Sequence, residues 1–344
     1  MTAEPTRTDR GSGKDEGPTL VRRQGRTGEE QAWGQSFQTP PPRRPVLAWL
    51  IVLLHRIIGL LPLWAVHRVA AGLGGTASLL PTRERHVSEV NLGIAFPDLD
   101  TAARRRLARK SLIETAKTFA EGSAVWSWSR ERILNHIGDV SGEERVREAI
   151  DSGRGVILAA PHLGNWELVG MYCSTRYALT GLYQKPRLLE LESLFKASRE
   201  RFGARLVPAG LGAVRTLTRA LKHGEMIAIL PDQDAGSGLG IFVPFFGETA
   251  NTMTLLSRMA ARTRALVVIA YAERLSGSRG FHMHFVPASE EIYDDDIERS
   301  AASLNHDVER CVRRLPEQYL WSYKRFRIRP PGMRSPYNEP PKSH

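Results

Sequence analysis

One stretch of the sequence, residues 155–170, combines a short apolar run with a polar corner and an amphipathic segment. It reads G-V-I-L-A-A-P-H-L-G-N-W-E-L-V-G, which predicts a strand, a loop and a helix in that order. In open α/β sheets, ligands bind at the carboxyl ends of strands that feed helices. His162 lies on the predicted corner, and Glu167 lies at the start of the predicted helix. We therefore expect both side chains to face a cleft.

Beyond residue 138 the chain keeps alternating short apolar runs with helical segments, which is typical of an α/β layer. The predicted strands are residues 156–160, 180–184, 204–207, 226–230, 265–271 and 281–286. The predicted helices are residues 144–152, 166–177, 188–202, 211–222, 252–264 and 302–314. A chain of 344 residues can form one large domain or two small ones.

The N-terminal region divides into a polar arm and an apolar segment. Residues 1–45 contain almost no aliphatic side chains and cannot offset the entropy of ordering, so we predict a disordered basic and Pro-rich arm. The 21 residues that follow, 46–66, match the roughly 20 needed to span a bilayer, although His55, Arg56 and Pro62 interrupt them. They form either a membrane anchor, inserted or lying in the plane, or a buried helical hairpin.

The chain is basic, with 48 Lys and Arg against 37 Asp and Glu and a formal net charge of +11. This excess favours an anionic partner: nucleic acid, an anionic membrane surface or an acidic carrier protein. A basic helix predicted over residues 102–128 is either a solvated face or a landing surface for lipid headgroups or a carrier. Without a helix-turn-helix, zinc-finger or RNA-binding signature, nucleic acid is not the predicted partner. Two distant cysteines outside any CxxC motif favour a reducing compartment.

The polar corner is suited to acid–base chemistry. A histidine serves as a base at neutral pH when a carboxylate fixes its tautomer and its orientation. Glu167 is placed for this task, and the backbone dipole of the helix favours its negative charge there. We predict His162 and Glu167 as the catalytic pair.

A metal site is the competing use of the same residues. Helix-borne zinc ligands recur at i and i+4, whereas H-x-x-x-x-E does not place both side chains on one helix face. His282 and His284 alternate on a predicted strand but have no obvious acidic partner in the sequence. We therefore predict no catalytic metal.

A second polar segment, L-P-D-Q-D-A-G-S-G-L-G, follows another predicted strand and should emerge at the same edge of the sheet. Asp232, Gln233 and Asp234 can brace the histidine loop, orient basic residues or contact a polar acceptor. Phe245 and Phe246 are core residues by default, but as a mobile aromatic rim they can wall an acyl channel. The chain contains no GxxxxGK[ST] or GxSxG motif, so phosphoryl transfer and serine-nucleophile hydrolysis lose their main support.

Three more residues complete the predicted substrate site. Asn165 follows the histidine in the same loop, and Lys185 and Arg187 follow the strand predicted at residues 180–184. The two basic side chains can bind a phosphate or a pantetheine arm. A solvated basic loop is the alternative.

Five segments together resemble the lauroyl and myristoyl acyltransferases of bacterial lipid A biosynthesis, a lysophospholipid-acyltransferase-like family. They are R-H-V-S-E-V-N-L-G-I-A-F-P (85–97), G-R-G-V-I-L-A-A-P-H-L-G-N-W-E (153–167), L-P-D-Q-D (230–234), F-V-P-F-F-G-E-T-A (242–250) and W-S-Y-K-R-F (321–326). They run in family order over residues 46–328. The stretch L-L-E-L-E (188–192) and the long arm depart from the family pattern and leave the identity of the acceptor open.

The resemblance implies an α/β fold of the glycerol-3-phosphate-acyltransferase-like type, a mixed sheet flanked by helices, with an N-terminal membrane-associated helical segment. The expected parts are the arm (1–45), the anchor or interfacial helices (46–80), the acyltransferase domain (81–328) and a loose Pro-rich tail (329–344). The family motif H-x-x-x-x-(D/E) carries over as His162 and Glu167. An inner-membrane location with the active site facing the cytoplasm is also implied.

The reaction implied by the resemblance is direct acyl transfer without a cofactor. His162, held by Glu167, would remove the proton of a hydroxyl on a lipid A precursor, which then attacks an acyl-carrier-protein thioester. The expected partners are acyl carrier protein, anionic membrane lipids and the glycolipid acceptor. Transfer from acyl-CoA to another glycolipid, such as a phosphatidylinositol mannoside, and lipid or thioester hydrolysis are the alternatives.

Overall fold

The structure is a computed structural model that describes residues 45–186, 188–236 and 238–338. Its helices are α1 (Pro45–Leu60), α2 (Leu63–Leu79), α3 (Arg83–Ala95), α4 (Thr101–Ser127), α5 (Arg130–Asn135), α6 (Glu143–Asp151), α7 (Trp166–Ser174), α8 (Glu192–Glu200), α9 (Leu211–Lys222), α10 (Leu255–Thr263) and α11 (Ile297–Arg314). Its strands are β1 (Ile137–Ser141), β2 (Val156–Ala159), β3 (Leu179–Tyr183), β4 (Arg205–Pro208), β5 (Met226–Ile229), β6 (Gly240–Phe245), β7 (Glu248–Met253), β8 (Leu266–Arg274) and β9 (Phe281–Pro287). The predicted disordered arm lies outside the described residues, apart from its last residue.

Seven strands form one mixed sheet in the order β1-β9-β8-β2-β5-β3-β4. All neighbouring pairs are parallel except β8 and β9, which are antiparallel. The central strand β2 is buried on both faces: Ile157 and Ala159 belong to one hydrophobic core, and Val156 and Leu158 belong to the other. Helices cover both cores, as the continuous apolar run requires. The predicted α/β fold, a mixed sheet flanked by helices, is confirmed.

All six predicted strands form, each ending within three residues of its predicted limits. Three strands were not predicted. β1 reads I-G-D-V-S and lacks an apolar run, and β6 and β7 form a separate antiparallel hairpin whose turn contains no Asn-Gly or Asp-Gly signal. The helix predicted from residue 252 begins later, at Leu255, because β7 continues to Met253.

The N-terminal helices α1 and α2 form a hairpin that breaks at Pro62, which directly precedes α2. The hairpin packs on α4 through glycines: a Cβ added at Gly74 would lie 2.9 Å from the Ala116 Cβ. None of the helices among the described residues combines the length and the apolar character that a bilayer crossing needs. The hairpin nevertheless exposes large apolar side chains on both of its helices, hereafter the apolar face. Its members are Val46, Trp49, Leu50, Leu54, Ile57, Leu60, Trp64, Val69 and Leu73.

The C-terminal tail, predicted to be loose, folds back onto the domain as far as residue 338. Tyr337 is buried, and its hydroxyl donates to Oδ1 of Asn91 at 2.7 Å and accepts from the amide of Phe326 at 3.0 Å. The tail was predicted to be loose because it is rich in proline, which lacks a backbone N–H donor. Hydrogen bonds of the Tyr337 side chain nevertheless hold it in place. Residues 339–344 lie outside the described residues.

We expect Gly164, in the loop between β2 and α7, to be intolerant of a side chain. Its φ is 61°, and a Cβ there would lie 2.0 Å from the carbonyl oxygen of Ala272 on β8. Gly164→Ala should lower the free energy of unfolding by about 3 kcal/mol, because the loop must move off the strand. Gly153→Ala is the matched control, since its φ is also positive, 72°, but no atom lies within 4 Å. Urea unfolding should give it a loss of only about 1 kcal/mol, and equal losses would contradict the packing argument.

Candidate active site

The loop that carries His162 leaves the carboxyl end of β2 and leads into α7. Its backbone is fixed from two sides: the amide of Asn165 donates to the Ala272 carbonyl at 2.9 Å, and the amide of Gly164 donates to the Gln318 carbonyl at 3.0 Å. β8 and the segment after α11 therefore hold the loop rigidly. As predicted, His162 lies at the carboxyl edge of the sheet, where its ring is mostly buried but reachable.

Asp232 holds the imidazole of His162. It follows β5, the neighbour of β2, and its Oδ1 lies 2.8 Å from Nδ1 of the ring while its Oδ2 accepts from the His162 amide at 2.9 Å. An ionised carboxylate can only accept, so Nδ1 carries the proton and the lone pair is on Nε2. The amide nitrogen of Gln233 lies 3.0 Å from Nε2 and can donate to that lone pair. The predicted meeting of the two loops at one edge is confirmed.

Asp232 is kept ionised by its partner. Burial alone would raise the pKa of Asp232, but the electrostatic attraction of the His162 ring and the hydrogen bonds from its ring and backbone outweigh burial and hold the pKa below its ordinary value. Burial, and then the negative charge of Asp232, raise the pKa of Tyr319 well above its ordinary range. At neutral pH the site therefore contains a carboxylate that only accepts hydrogen bonds and a neutral phenol beside it.

Glu167, predicted to hold the imidazole, is bound to other partners. Arg199 donates to it twice, from Nη2 to Oε1 at 2.5 Å and from Nε to Oε2 at 2.9 Å, and Trp126 Nε1 donates to Oε2 at 2.9 Å. The prediction of a Glu167 hydrogen bond to the ring is therefore wrong. Glu167 lies in the first turn of α7, and from there its side chain reaches α4 and α8, whereas Asp232 approaches the ring directly from the adjacent strand end.

The Glu167 carboxylate is nevertheless ionised and close to the histidine. Burial would raise the pKa of Glu167, but the charge of Arg199, its hydrogen bonds and that of Trp126 outweigh burial, and the pKa lies below its ordinary value. The nearby ring of His162 contributes in the same direction. Glu167 thus ties α7 to α4 and α8 beside the histidine.

Asn165, predicted to bind substrate, is fully buried and caps α7. Its Oδ1 accepts from the Leu168 amide at 2.9 Å, and its Nδ2 donates to Oε2 of Glu121 at 3.0 Å. Glu121 is itself fully buried and paired with Arg274 and His67. Because both ends of the amide are bound inside the protein, Asn165 positions the histidine loop and does not face a substrate.

Asp234 does not brace the histidine loop, which was one of its predicted options; Asp232 binds that loop, and Asp234 braces the loop after β5. Its Oδ1 accepts from the Gly236 amide at 2.8 Å and from Asn251 Nδ2 at 3.1 Å, and its Oδ2 accepts from the Ile328 amide at 3.2 Å. The carboxylate thereby joins the loop after β5 to the β6–β7 hairpin and to the C-terminal segment. Its oxygens face these donors and not a cleft.

Phe245 and Phe246 are not a mobile rim. Both are buried in the hydrophobic core, where the Phe246 ring packs against Trp321 with centroids 5.5 Å apart. They lie at the end of β6, which α11 fixes from behind: Asn305 Nδ2 donates to the Pro244 carbonyl at 2.8 Å. The default interpretation as core residues was correct, and the acyl-channel interpretation is wrong.

The predicted basic pair at the end of β3 is only partly described. Lys185 is about half exposed, and its Nζ lies 3.4 Å from Oε1 of Glu192 at the start of α8. Arg187 lies outside the described residues. The contact of Lys185 with an anionic substrate stays a prediction.

Sequence reasoning missed several residues around the histidine. The Trp166 ring lies beside the imidazole, with centroids 4.8 Å apart, and the exposed Phe119 of α4 meets Trp166 edge-on at 6.0 Å. Trp166 could have been found, because it stands in the same G-N-W-E motif. Arg199 and Phe119 come from distant segments and have no local signal.

Comparisons with known proteins give a consistent result. The sequence profile described as bacterial lipid A biosynthesis acyltransferase matches residues 39–328. A lipid A biosynthesis lauroyltransferase from Escherichia coli (strain K12) is 28% identical over 292 residues, which cover 85% of this chain and 94% of that protein. The palmitoleoyltransferase of the same strain is 28% identical, and the match covers 77% of this chain and 86% of that protein. The myristoyltransferase of that strain is 25% identical, and the match covers 84% of this chain and 90% of that protein.

The Glu167–Arg199 pair should make a pH-dependent contribution to stability. Arg199→Ala leaves the partly buried carboxylate of Glu167 without its main donor, so we expect the free energy of unfolding at pH 7 to fall by about 1–3 kcal/mol. The pKa of Glu167 is lower in the folded state than its ordinary value of 4.5. The stability that the ion pair contributes is therefore fully present at pH values above 4.5, and it is lost as the pH falls through the lowered pKa of the folded state.

Urea unfolding of wild type and Arg199→Ala at neutral and acidic pH measures this contribution. Lys196→Ala, an exposed change on the same helix, is the control and should stay within about 0.5 kcal/mol of wild type. A loss for Arg199→Ala that is independent of pH would contradict the assignment of Glu167 as its partner.

Proposed function

This chain belongs to the bacterial lipid A biosynthesis acyltransferases and is an acyltransferase, and from that premise we propose that it acylates a hydroxyl of a lipid A precursor from an acyl-carrier-protein thioester. The observation that carries the proposal is the His162–Asp232 pair at the carboxyl edge of the sheet. The relatives are named for lauroyl, palmitoleoyl and myristoyl transfer, so the proposal is restricted to a fatty acyl chain as a class.

In the proposed mechanism His162 is the general base. Asp232 binds the Nδ1 proton, so Nε2 accepts the proton of the acceptor hydroxyl, which displaces the Gln233 amide from that nitrogen. The hydroxyl oxygen forms a bond to the thioester carbonyl carbon and gives a tetrahedral oxyanion. When the oxyanion collapses, the carbon–sulfur bond breaks and the thiolate leaves, taking the proton back from Nε2. A thioester is already activated, so no nucleophilic side chain is needed.

The acyl chain of the donor is proposed to lie beside Trp166 and Phe119. The Trp166 ring contacts the imidazole, and Phe119 continues this apolar surface with 61% of its area exposed. This aromatic pair, of which Trp166 is partly buried and Phe119 exposed, supplies an apolar wall next to the general base. We propose this pair for the role that the sequence analysis had considered for Phe245 and Phe246.

Association with the inner membrane, with the active site facing the cytoplasm, is proposed from the apolar face of α1 and α2. Contiguous exposed apolar side chains of this size mark a surface for a membrane or a partner. Trp49 and Trp64 are both about 60% exposed, and Arg56 and Arg68 are exposed near them. Amphipathic helices with this composition lie in the plane of the interface with their apolar face buried.

A basic cleft at the end of α2 supports an anionic partner. It encloses about 230 Å³, and its arginine residues are Arg85, Arg105, Arg106 and Arg109. Leu79, two-thirds exposed, lies at its rim and continues the apolar surface of α2. We propose anionic lipid headgroups as its ligands, with the acidic carrier protein docking on the remaining basic face of α4.

Removing the base or its partner should abolish transfer without unfolding the protein. We expect His162→Ala to lower kcat by about 10² to 10⁴. Asp232→Asn should lower kcat by at least about 10², because an amide can donate to Nδ1 and then stabilises the wrong tautomer. His223→Ala, a change at an exposed histidine at the end of α9, is the control and should leave kcat unchanged.

The assay follows the acylated product by mass spectrometry, with acyl carrier protein or CoA as the thiol and with a lipid A precursor or a phosphatidylinositol mannoside as the acceptor. A His162→Ala variant that keeps about a tenth of the wild-type rate would contradict the general-base role. Faster transfer from acyl-CoA to the phosphatidylinositol mannoside would contradict the proposed donor and acceptor. Release of fatty acid at the same rate without an acceptor would identify a hydrolase.

The apolar face should control membrane binding. Each large apolar side chain buried at the interface contributes about 1.5–3 kcal/mol, so Trp49→Glu and Leu54→Glu together should weaken binding to anionic phospholipid vesicles by at least about a hundredfold. Val214→Glu, which alters an exposed apolar residue on α9, away from the hairpin, should leave binding unchanged. Flotation with phosphatidylglycerol-containing vesicles measures the effect, and equal loss in both variants would argue against this face.

A further inference from the structure

Three side chains that commonly bind metals converge on β8 and β9, away from the histidine loop. Glu273 lies on β8 opposite His282 in the antiparallel register, and His284 follows two residues later on the same face of β9. One donor atom from each of the three lies within 4.8 Å of the other two. The acidic partner that the sequence did not reveal for the two histidines is therefore Glu273.

The contacts within this group are close. His284 Nε2 lies 2.9 Å from Oε2 of Glu273, and the imidazoles of His282 and His284 are stacked with centroids 3.9 Å apart. The Tyr271 ring stacks on His284 from the other side at 4.6 Å, and Ser141 of β1 lies 2.8 Å from His282 Nε2. All three donor residues are partly buried. Stacking and hydrogen bonds thus keep the three side chains together before any ion binds.

Two imidazoles and a carboxylate are a ligand set that zinc takes, with an open fourth position for water or another ligand. Tetrahedral bonds of about 2.05 Å place ligand atoms about 3.3 Å apart. The donor atoms here lie within 4.8 Å of one another without an ion, so they must move closer together when one binds.

The ligand types help to choose the metal. Calcium and magnesium prefer oxygen ligands, whereas two of the three donors here are imidazole nitrogens. Zinc forms strong bonds to imidazole nitrogen and is the ion that this mixed set suits.

We propose that Glu273, His282 and His284 bind one zinc ion, which fastens β9 to β8. The site lies outside the proposed reaction, but it has a structural connection to it. Glu273 stands between Ala272, whose carbonyl accepts from the histidine loop, and Arg274, whose amide donates to Gln318 Oε1 at 2.9 Å. An ion at Glu273 would therefore stabilise the strand end on which the loop rests.

The test uses the full chain, stripped of metal with a chelator and dialysed. Equilibrium dialysis against zinc, with the metal measured by mass spectrometry, should give one ion per chain, and zinc should raise Tm. His282→Gln, His284→Gln and Glu273→Gln should each weaken binding by at least about tenfold, since even the loss of an outer-shell partner costs that much. His223→Gln removes a histidine elsewhere and should bind like wild type.

Three readouts separate a lost ligand from a lost fold. His284→Cys keeps a zinc-binding atom at the same position and should keep tight binding, and metal-free variants should melt at the temperature of metal-free wild type. Cobalt should give the intense visible absorption of a tetrahedral site in wild type and lose it in His284→Gln. Zinc bound equally by every variant, or no zinc bound by wild type at micromolar concentration, would overturn the proposal.

Discussion

The hydrogen bond between His162 and Asp232 depends on the parallel pairing of β2 with β5. Ala159 and Ile229 are partners in the register, and the two polar residues each follow three positions later. A slip of one residue would exchange the side chains of a strand between the two cores, because alternate side chains of β2 belong to opposite faces of the sheet, and it would also separate His162 from Asp232. The sheet that buries the apolar runs therefore also sets the distance between base and carboxylate.

A buried ionic cluster gives the histidine loop its second support. Glu121 of α4 binds the guanidinium of Arg274 at the end of β8, the side chain of Asn165 at the loop, and His67 of α2. Buried ion pairs add little net stability, because desolvation offsets their attraction. They do fix geometry, since any other arrangement leaves a charge without its partner. One carboxylate thus sets the position of the N-terminal hairpin relative to the loop.

Features that depend on local sequence patterns were predicted correctly. Contacts between residues that are far apart in the sequence were mostly missed. Apolar runs located six strands and placed His162 and Asp232 at one edge. The spacing of His162 and Glu167 made them look like partners, but the choice of carboxylate follows from strand register, which no local pattern contains. Arg199 was not found, because its partner lies 32 residues earlier in the chain. The apolar character of Phe245 and Phe246 correctly predicted core positions, and only their suggested role in an acyl channel was wrong.

The two carboxylates near the histidine differ in what they can do. Asp232 is short and binds both the ring and the backbone amide of His162, so it fixes the tautomer and the orientation together. Glu167 instead ties α7 to α8 through Arg199, and α8 begins at Glu192, the residue that holds Lys185. Under the proposed mechanism the acid of H-x-x-x-x-E therefore connects the base to the segment expected to bind the anionic substrate. Its ionised state then matters for alignment, whereas that of Asp232 matters for proton transfer.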